Sequence, residues 1–370
     1  MPISYTGGSV TAGTMLLSQG AASFSTHKPI PFIGETRYFR RNEGTTDCYE
    51  TNARLIPNPK AHFDVEFQLL GSIDAACTFV AQNVSASAAS REFQIFQNNN
   101  TVRVLLGGSE TVFTSTITNA GTYRIVNDGV NIEIFRNGLS IETQAAVIGA
   151  ATEGSATFTM AGRHAGSLSS YGFTYAGVMS DVVIRNSSGV IINDYPVNDD
   201  ANTLVDLVGG NNATVINGNP EDWQLYTQQE NGDWVSTFDS WGKTNLASDW
   251  SGVGVALSDV SGGVSAIASD GSSDRAERTI VGSSIVSGRS YRFTVNAAQG
   301  IQGSSQFIQN FTFATISPTP IATQIMSPYT FDLLAMANTG LVRMYAASTG
   351  TAGDEVIIGN ITAYEVLKLA

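Results

Sequence analysis

The sequence predicts an all-β protein built from two antiparallel β-sandwiches, and three observations support this prediction. Only 14% of the 370 residues are charged and 37 are glycine, which suits short strands joined by tight turns. Apolar and polar residues alternate with a period of two in many runs of strand length. No window shows an amphipathic pattern long enough for a stable helix. Evenly spaced strands without helices indicate sandwiches.

The alternating runs form two tracts. The first begins near Ala61 and contains HFDVEFQLL, EFQIF, TVRVLL, TVFTSTI, TYRIV, VNIEIFRNG and DVVIRNSSGVII. The second begins near Asn231 and contains VALSDV, AERTIV, SYRFTVNA, FIQNFTFATI, LVRMYAA and DEVIIGNITAYEVL. Asp128-Gly129 and Asn137-Gly138 supply the positive φ angles that tight hairpin turns require. Each pair therefore predicts a hairpin between its flanking strands.

Composition places the boundary between the two tracts near residue 229. Residues 1–35 are rich in small and polar types, so they are predicted to form an extended arm for attachment or oligomerisation. Residues 36–228 and 229–370 are each long enough for one hydrophobic core. All four tryptophans lie around the junction: Trp223, Trp234, Trp241 and Trp250.

Charge and cysteine content argue against several classes of protein. A net charge of -13 with only 19 Lys and Arg would repel a phosphate backbone, so no nucleic-acid binding is expected. The apolar run Met15-Leu16-Leu17 is far shorter than the ~18 residues that span a bilayer. No basic start of an export signal precedes it. We therefore expect synthesis in the cytoplasm without a signal peptide and no membrane insertion. Cys48 and Cys77 are expected to be buried, reduced thiols.

Specific segments of the first tract resemble a known family. TYRIVNDGVNIEIFRNGLSIET, residues 122–143, resembles the central hairpin of laminin-G-like and concanavalin-A-like lectin domains. Residues 175–184 resemble the closing strand of that family. The following NDYPVNDDANTLVDLVGGNNATVINGNPEDWQLY, residues 193–226, is similar to a tail that follows such domains in phage virion proteins. This resemblance covers about residues 36–228 and implies a concanavalin-A-like jelly roll.

The second tract resembles a galactose-binding-like jelly roll of the carbohydrate-binding-module type. The resemblance is carried by the early tryptophan cluster, by residues 286–295 and by residues 356–366. Members of this family often have an Asp-Asn pair before the last strand. This chain has Gly359-Asn360 instead, which weakens the transfer of a calcium site.

Together the two resemblances imply a non-enzymatic phage virion protein, either a tail fibre, a receptor-binding protein or a capsid decoration protein. Its lectin-like domains would contact host-surface polysaccharide. They also imply a homo-oligomer, with a trimer favoured, that binds other virion subunits, lies on the virion surface and is released by lysis. Two alternatives stay open: an architectural cement protein that binds no sugar, and a hydrolase of surface polysaccharide.

The hydrolase alternative uses Asp64 and Glu66. These carboxylates and His62 lie at alternate positions of one predicted strand, so their side chains share a face about 7 Å apart. Glycoside hydrolysis requires two carboxyls about 5 to 9.5 Å apart. The simpler interpretation is the polar outer face of a strand whose other side, including Phe63, packs in the core. Some glucanases of this fold place their nucleophile and acid as paired carboxylates on one strand, and Gln68 stands where their pattern has a third carboxylate.

Two turn-rich segments contain carboxylates that could hold a structural calcium ion; no other cofactor is expected. Calcium binds six to eight hard oxygen ligands, and aspartates are common in turns for conformational reasons alone. The metal candidates are Asp199 and Asp200, which Asp194 and Asp206 flank, and Asp270 with Asp274.

Aromatic residues of the second tract could form a flat platform for a sugar ring. Filling of the core is the alternative for each of them, because exposed tryptophan is costly. At most one or two are expected to face a ligand. The candidates are Trp234, Trp241, Trp250, Tyr291 and Tyr329.

Overall fold

The computed structural model describes most of the chain from residue 34 to residue 368. The described ranges are 34–42, 46–71, 73–197, 202–218, 223–239, 246–261, 263–269, 274–280, 285–300, 307–309, 319–321, 324–335, 340–346 and 352–368. The arm predicted for residues 1–35 lies almost wholly outside them. In the described part, helical structure is limited to two short 3-10 turns, Ala88–Ser90 and Ala247–Asp249. None of the described helices is long and apolar enough to cross a membrane.

The strands of the first tract are β1 Thr36–Arg40, β2 Cys48–Thr51, β3 Phe63–Leu70, β4 Cys77–Gln82, β5 Phe93–Asn98, β6 Thr101–Leu106, β7 Ser109–Val112, β8 Gly121–Asn127, β9 Asn131–Arg136, β10 Leu139–Ala145, β11 Thr159–Met160, β12 Arg163–Ser167, β13 Ser170–Gly172, β14 Val178–Arg185, β15 Ile191–Tyr195, β16 Thr203–Leu204 and β17 Ala213–Ile216.

The strands that follow are β18 Trp223–Gln228, β19 Trp234–Asp239, β20 Ser251–Val253, β21 Val255–Val260, β22 Gly263–Ala268, β23 Arg275–Ile280, β24 Ser290–Gln299, β25 Phe307–Gln309, β26 Thr319–Pro320, β27 Ser327–Leu334, β28 Gly340–Tyr345 and β29 Glu355–Leu367.

The first sandwich consists of two antiparallel sheets. One has the order β10-β9-β8-β3-β14-β15 and the other β16-β17-β2-β11-β4-β5-β6-β7. Alternate residues of each strand point inward, so Phe63, Val65 and Phe67 of β3 pack in a core that also contains Phe79 and Phe93 of the facing sheet. The period-two alternation in the sequence thus produces the two faces of each sheet.

The second sandwich packs a large sheet against a smaller one. The large sheet runs β1-β18-β19-β29-β22-β21, with β24 between β29 and β27, and the small sheet runs β20-β23-β28-β25-β26. Phe293 and Val295 of β24 lie in the core with Val342 and Met344 of β28. The predicted all-β class with two antiparallel sandwiches is confirmed by these strands and their pairing.

Both predicted hairpins are present. Asn127 pairs with Ile132 across the Asp128-Gly129 turn, and Arg136 pairs with Leu139 across the Asn137-Gly138 turn. Asn137 has φ 50° and Gly138 has φ 79°, the left-handed conformation that this turn requires. Cys48 and Cys77 are buried and form no disulfide, as predicted, and burial raises the pKa of both thiols.

One predicted strand is shorter than its sequence pattern. TVFTSTI predicts a strand over residues 111–117, but β7 ends at Val112. The carboxylate of Glu142 accepts hydrogen bonds from the backbone N–H groups of Thr114 and Ser115. These two N–H groups therefore donate to a side chain, whereas in a strand they would donate to the backbone of a neighbouring strand.

The two sandwiches are joined by a shared sheet. β1 precedes the first sandwich in the chain, yet it pairs with β18, which pairs with β19 and through it with β29 of the second sandwich. Residue 229, where composition placed the boundary, lies in the turn between β18 and β19. A separate apolar cluster fills the junction: Phe39, Leu70, Val178, Tyr226, Trp234 and Leu367.

Candidate functional site

Asp64 and Glu66, the two carboxylates of the hydrolase alternative, are not arranged as a catalytic pair. Asp64 and Glu66 lie on the outer face of their sheet, but arginines from the neighbouring strands engage both. Arg124 donates two hydrogen bonds to Asp64, at 2.8 and 2.5 Å. Arg185 donates to Glu66 Oε1 at 3.2 Å, and its Nη1 lies 3.8 Å from Asp64 Oδ1.

The ion pairs of Asp64 and Glu66 with arginines account for these carboxylates on the outer face of β3 without a catalytic role. The Asp64 side chain is only 3% exposed, so a glycosidic oxygen could not approach it in this conformation. General acid catalysis requires a carboxyl within hydrogen-bond reach of the leaving group. The geometry here is that of a cross-strand ion-pair ladder.

Three of the five predicted platform aromatics lie in apolar cores. The exposed fractions are 4% for Trp234, 6% for Trp250 and 1% for Tyr291. Trp234 packs edge-on against Phe39, with 4.9 Å between ring centroids. Because Tyr291 alternates with Arg292 along β24, its ring points inward. These three rings are therefore not presented to solvent, which corrects the expected platform.

The other two aromatics give no platform among the described residues. Tyr329 is half-buried and packs against the core of the second sandwich. Trp241 lies outside the residues that the structure describes.

Of the four predicted calcium ligands, the structure describes only Asp274. Asp199, Asp200 and Asp270 lie outside the described part of the chain, and no group of three or more His, Cys, Asp or Glu within that part could hold a metal ion. Asp274 is buried and accepts a hydrogen bond from Ser269 N at 2.9 Å.

The Asp206 carboxylate is hydrogen-bonded within its own turn. Its carboxylate accepts hydrogen bonds from the Asn193 side-chain amide and from the backbone N–H groups of Asp194, Gly209 and Asn211, among others. Burial acts to raise the pKa of Asp206, but these donors lower it overall. The charge is thus satisfied by the turn itself.

The strongest candidate for a binding surface lies on the outer face of the large sheet in the second sandwich. Arg292 of β24 donates to both carboxylate oxygens of Asp332, at 2.8 and 2.9 Å, which raises the pKa of Arg292 and lowers that of Asp332. In the register, Arg292 also lies opposite Tyr364 of β29. Next along the sheet, Thr294 lies between Thr330 and Thr362.

A hollow of about 460 Å³ adjoins Arg292. Its walls come mainly from the end of β18 and from the turn that follows it, where Gly232 adopts φ 88°. The Asn231 side chain bonds Asp233 at 2.8 Å, which holds the turn in place. We call the hollow and the Arg292–Asp332 pair the Arg292 surface. Residues lining the hollow are Gly34, Thr227, Gln228, Gln229, Glu230, Asn231 and Arg292.

The chemistry of the Arg292 surface suits a neutral, hydroxyl-rich ligand. Its side-chain amides and guanidinium donate hydrogen bonds, and its amide oxygens and carboxylates accept them. Hydroxyl groups of a sugar both donate and accept, so they match such a mixed set. The hollow is within the size range of small-molecule sites.

Sequence reasoning missed this surface because it searched the second tract for aromatics. Two signals were present. Alternation in SYRFTVNA places Arg292 and Thr294 together on the polar face, and Gln228-Gln229-Glu230-Asn231 is a run of hydrogen-bonding side chains before a glycine turn. Their proximity depends on the pairing of β19 with β29 and of β29 with β24, which no local pattern reports.

Comparison with known proteins gives distant structural neighbours. No protein family matches the chain, and no curated protein matches it. A candidate carbohydrate-binding protein from Bacteroides ovatus is similar with a TM-score of 0.36 and 13% identity, over 53% of this chain and 61% of that one.

Two further neighbours are similar over most of the chain. The binding domain of botulinum neurotoxin serotype D/C has a TM-score of 0.26 and 12% identity, over 88% of this chain and 94% of that one. The tandem CBM22 domains of Xyn10C from Paenibacillus barcinonensis have a TM-score of 0.25 and 8% identity, over 88% of this chain and 84% of that one. Similarity at this level carries no functional conclusion.

Proposed function

We propose that this protein is a non-enzymatic adhesion protein that binds host-surface glycan through the Arg292 surface. The observation that carries the proposal is the polar hollow beside the bidentate Arg292–Asp332 pair. The pairing of Asp64 and Glu66 with arginines supports a binding role over hydrolysis.

We further propose that the protein is a structural component of a phage virion, present as a homotrimer. This part rests on the two lectin-type tracts, on the similarity of residues 193–226 to a tail that follows such domains in phage virion proteins, and on the extended arm expected for residues 1–35. A single polar site of this kind binds a sugar weakly, so several linked copies would supply the avidity that adhesion needs. An architectural cement protein that binds no sugar is the competing account.

Glycan binding is tested by titrating purified surface polysaccharides of candidate hosts into the full chain by calorimetry. Arg292→Ala is expected to weaken binding about 10- to 100-fold, because hydrogen bonds to charged groups contribute about 1.5–3 kcal/mol. Arg103→Ala is the matched control, since Arg103 forms a comparable surface ion pair with Glu110 at 2.8 Å on the first sandwich. Equal losses in both variants, or none in Arg292→Ala, would contradict the proposal.

The virion role is tested by immunogold electron microscopy with antibodies to residues 36–228 and 229–370. Label on tail tips or projecting fibres supports adhesion. An even coat over heads, with saturable binding to particles that lack the protein and no binding to cells, supports the cement account. Light scattering that finds a compact monomer at high concentration would contradict the trimer.

A further inference from the structure

A second cavity, unrelated to the Arg292 surface, lies at the end of the first sandwich. Its volume is about 270 Å³, larger than the apolar cavities of about 150 Å³ that accept benzene. It opens between the loop before β3 and the turn that joins β14 to β15. Apolar side chains form most of its walls: Leu55, Ile56, Pro57, Phe63, Ile184 and Ile192.

The walls of this cavity are held in place by buried amides. Gln82 Oε1 accepts hydrogen bonds from the backbone N–H groups of Leu55 and Ile56, both at 3.0 Å, and its Nε2 donates to Ile56 O at 2.7 Å. Asn127 Nδ2 donates to Pro59 O at 2.8 Å. A loop fixed in this way forms a cavity that exists before any ligand arrives, which lowers the cost of binding.

Two polar side chains that line the cavity each have a buried nitrogen without a hydrogen-bond partner. These atoms are His62 Nε2 and Arg185 Nη1. Arg185 Nη1 lies 3.8 Å from Asp64 Oδ1, an ion-pair distance that is too long for a hydrogen bond. The guanidinium nitrogen is always a donor, and the imidazole nitrogen donates in its Nε2–H tautomer. Leaving a buried polar group unsatisfied costs about 1–3 kcal/mol. Each of these groups can donate a hydrogen bond to an acceptor atom that a ligand brings into the cavity.

Local charge indicates that this acceptor is neutral. Arg124 and Arg185 carry two positive charges, and Asp64 and Glu66, which they bind, carry two negative charges. An anion entering the cavity would lose its hydration without meeting an unbalanced positive charge. A carbonyl oxygen accepts the same hydrogen bonds at a smaller desolvation cost.

We propose that this cavity binds a short acyl group, with the aliphatic chain against the apolar walls and the neutral carbonyl oxygen near His62 Nε2 and Arg185 Nη1. The ligand class is a neutral amide or ester of a short fatty acid. The site is independent of glycan binding at the Arg292 surface.

The proposal is tested on the full chain with simple probes, by saturation-transfer NMR and calorimetry. Butanamide is expected to bind saturably, and acetamide more weakly, by about fourfold for each CH₂ removed. Butanoate and butylammonium carry the same chain with a negative or positive charge and are expected to bind less tightly than butanamide. Equal or tighter binding of butanoate, or no binding of any amide, would overturn the assignment.

Two variants locate the binding on the protein. Ser187 lines the cavity and is exposed, so Ser187→Trp is expected to obstruct it and abolish butanamide binding. Ser188 is equally exposed but does not line the cavity, so Ser188→Trp is the control and should retain binding. His62→Phe keeps the ring and removes the nitrogen, and about a fivefold loss is expected. Unchanged binding in Ser187→Trp would show that the amide binds elsewhere.

Discussion

At the scale of single residues, a group of charged side chains is buried at the junction between the sandwiches, where removing charges from water is costly. Glu365 is 3% exposed and forms ion pairs with Arg41 and Arg289. Tyr226 donates a hydrogen bond to the same carboxylate at 3.3 Å. Burial acts to lower the pKa of Arg41, but Glu365 raises it overall. The Glu365 carboxylate therefore binds two guanidinium groups that have little exposure to solvent.

Glu365→Gln is expected to lower the free energy of unfolding by about 3–5 kcal/mol, because it removes the negative charge that both Arg41 and Arg289 bind at the junction. The measurement is urea denaturation at neutral pH. Glu110→Gln, which breaks a half-exposed pair with Arg103, is the control and should cost less than about 1 kcal/mol. Similar values for the two variants would show that the buried pair is not critical.

At the scale of elements, Glu142 of β10 fixes the segment that follows β7. Its carboxylate accepts hydrogen bonds from Thr114 N, Ser115 N and Gln144 Nε2, at 2.9, 2.6 and 2.7 Å. Burial acts to raise the pKa of Glu142, but the hydrogen bonds from Ser115, Gln144 and Thr114 lower it to about 2. The two sheets of the first sandwich are thereby tied at one edge.

This pKa predicts a pH-dependent contribution to stability. A depressed pKa in the folded state stabilises the protein above the unfolded value of about 4.3, and the contribution is lost as pH falls toward 2. Glu142→Gln should therefore be less stable than the wild type at pH 6, with the difference shrinking between pH 4.5 and 2. Thermal unfolding across this range measures it. Thr143→Ala, a neighbouring exposed change, should give a difference that does not vary with pH.

At the scale of the whole molecule, β1 and β18 make the two sandwiches depend on each other. Phe39 of β1 contacts Trp234 of β19 and Tyr226 of β18, with ring centroids 4.9 and 5.7 Å apart. Leu70 of the first sandwich and Leu367 of the second lie in the same cluster. An interface with its own apolar core couples the unfolding of the units that it joins.

We expect the full chain to unfold in one cooperative transition and Phe39→Ala to divide it into two. The substitution should cost about 3–5 kcal/mol, as for other buried phenylalanines. Calorimetry detects the number of transitions, and Val112→Ala, at a half-exposed position on the distant β7 edge, is the control. A single transition in Phe39→Ala, or two in the wild type, would contradict this coupling.

The sequence by itself determined the all-β class, most strand positions and both hairpin turns. These features depend on residues close together in the chain: the alternation in FDVEFQLL produces β3, and Asn137-Gly138 supplies the conformation of its turn. Only the tertiary structure decided which polar residues meet. Asp64 pairs with Arg124, 60 positions away, and the turn after β18 approaches Arg292 only through pairing in the large sheet.

Burial of the aromatics was likewise decided by the tertiary structure. A tryptophan next to a turn has the same local pattern whether it faces a sugar or a core, and Trp234 is buried because β1 and the first sandwich cover it. Local periodicity reports which side of a strand a residue occupies, and long-range packing decides what covers that side. For this reason the strands could be predicted from the sequence, whereas the Arg292 surface and the cavity beside His62 could not.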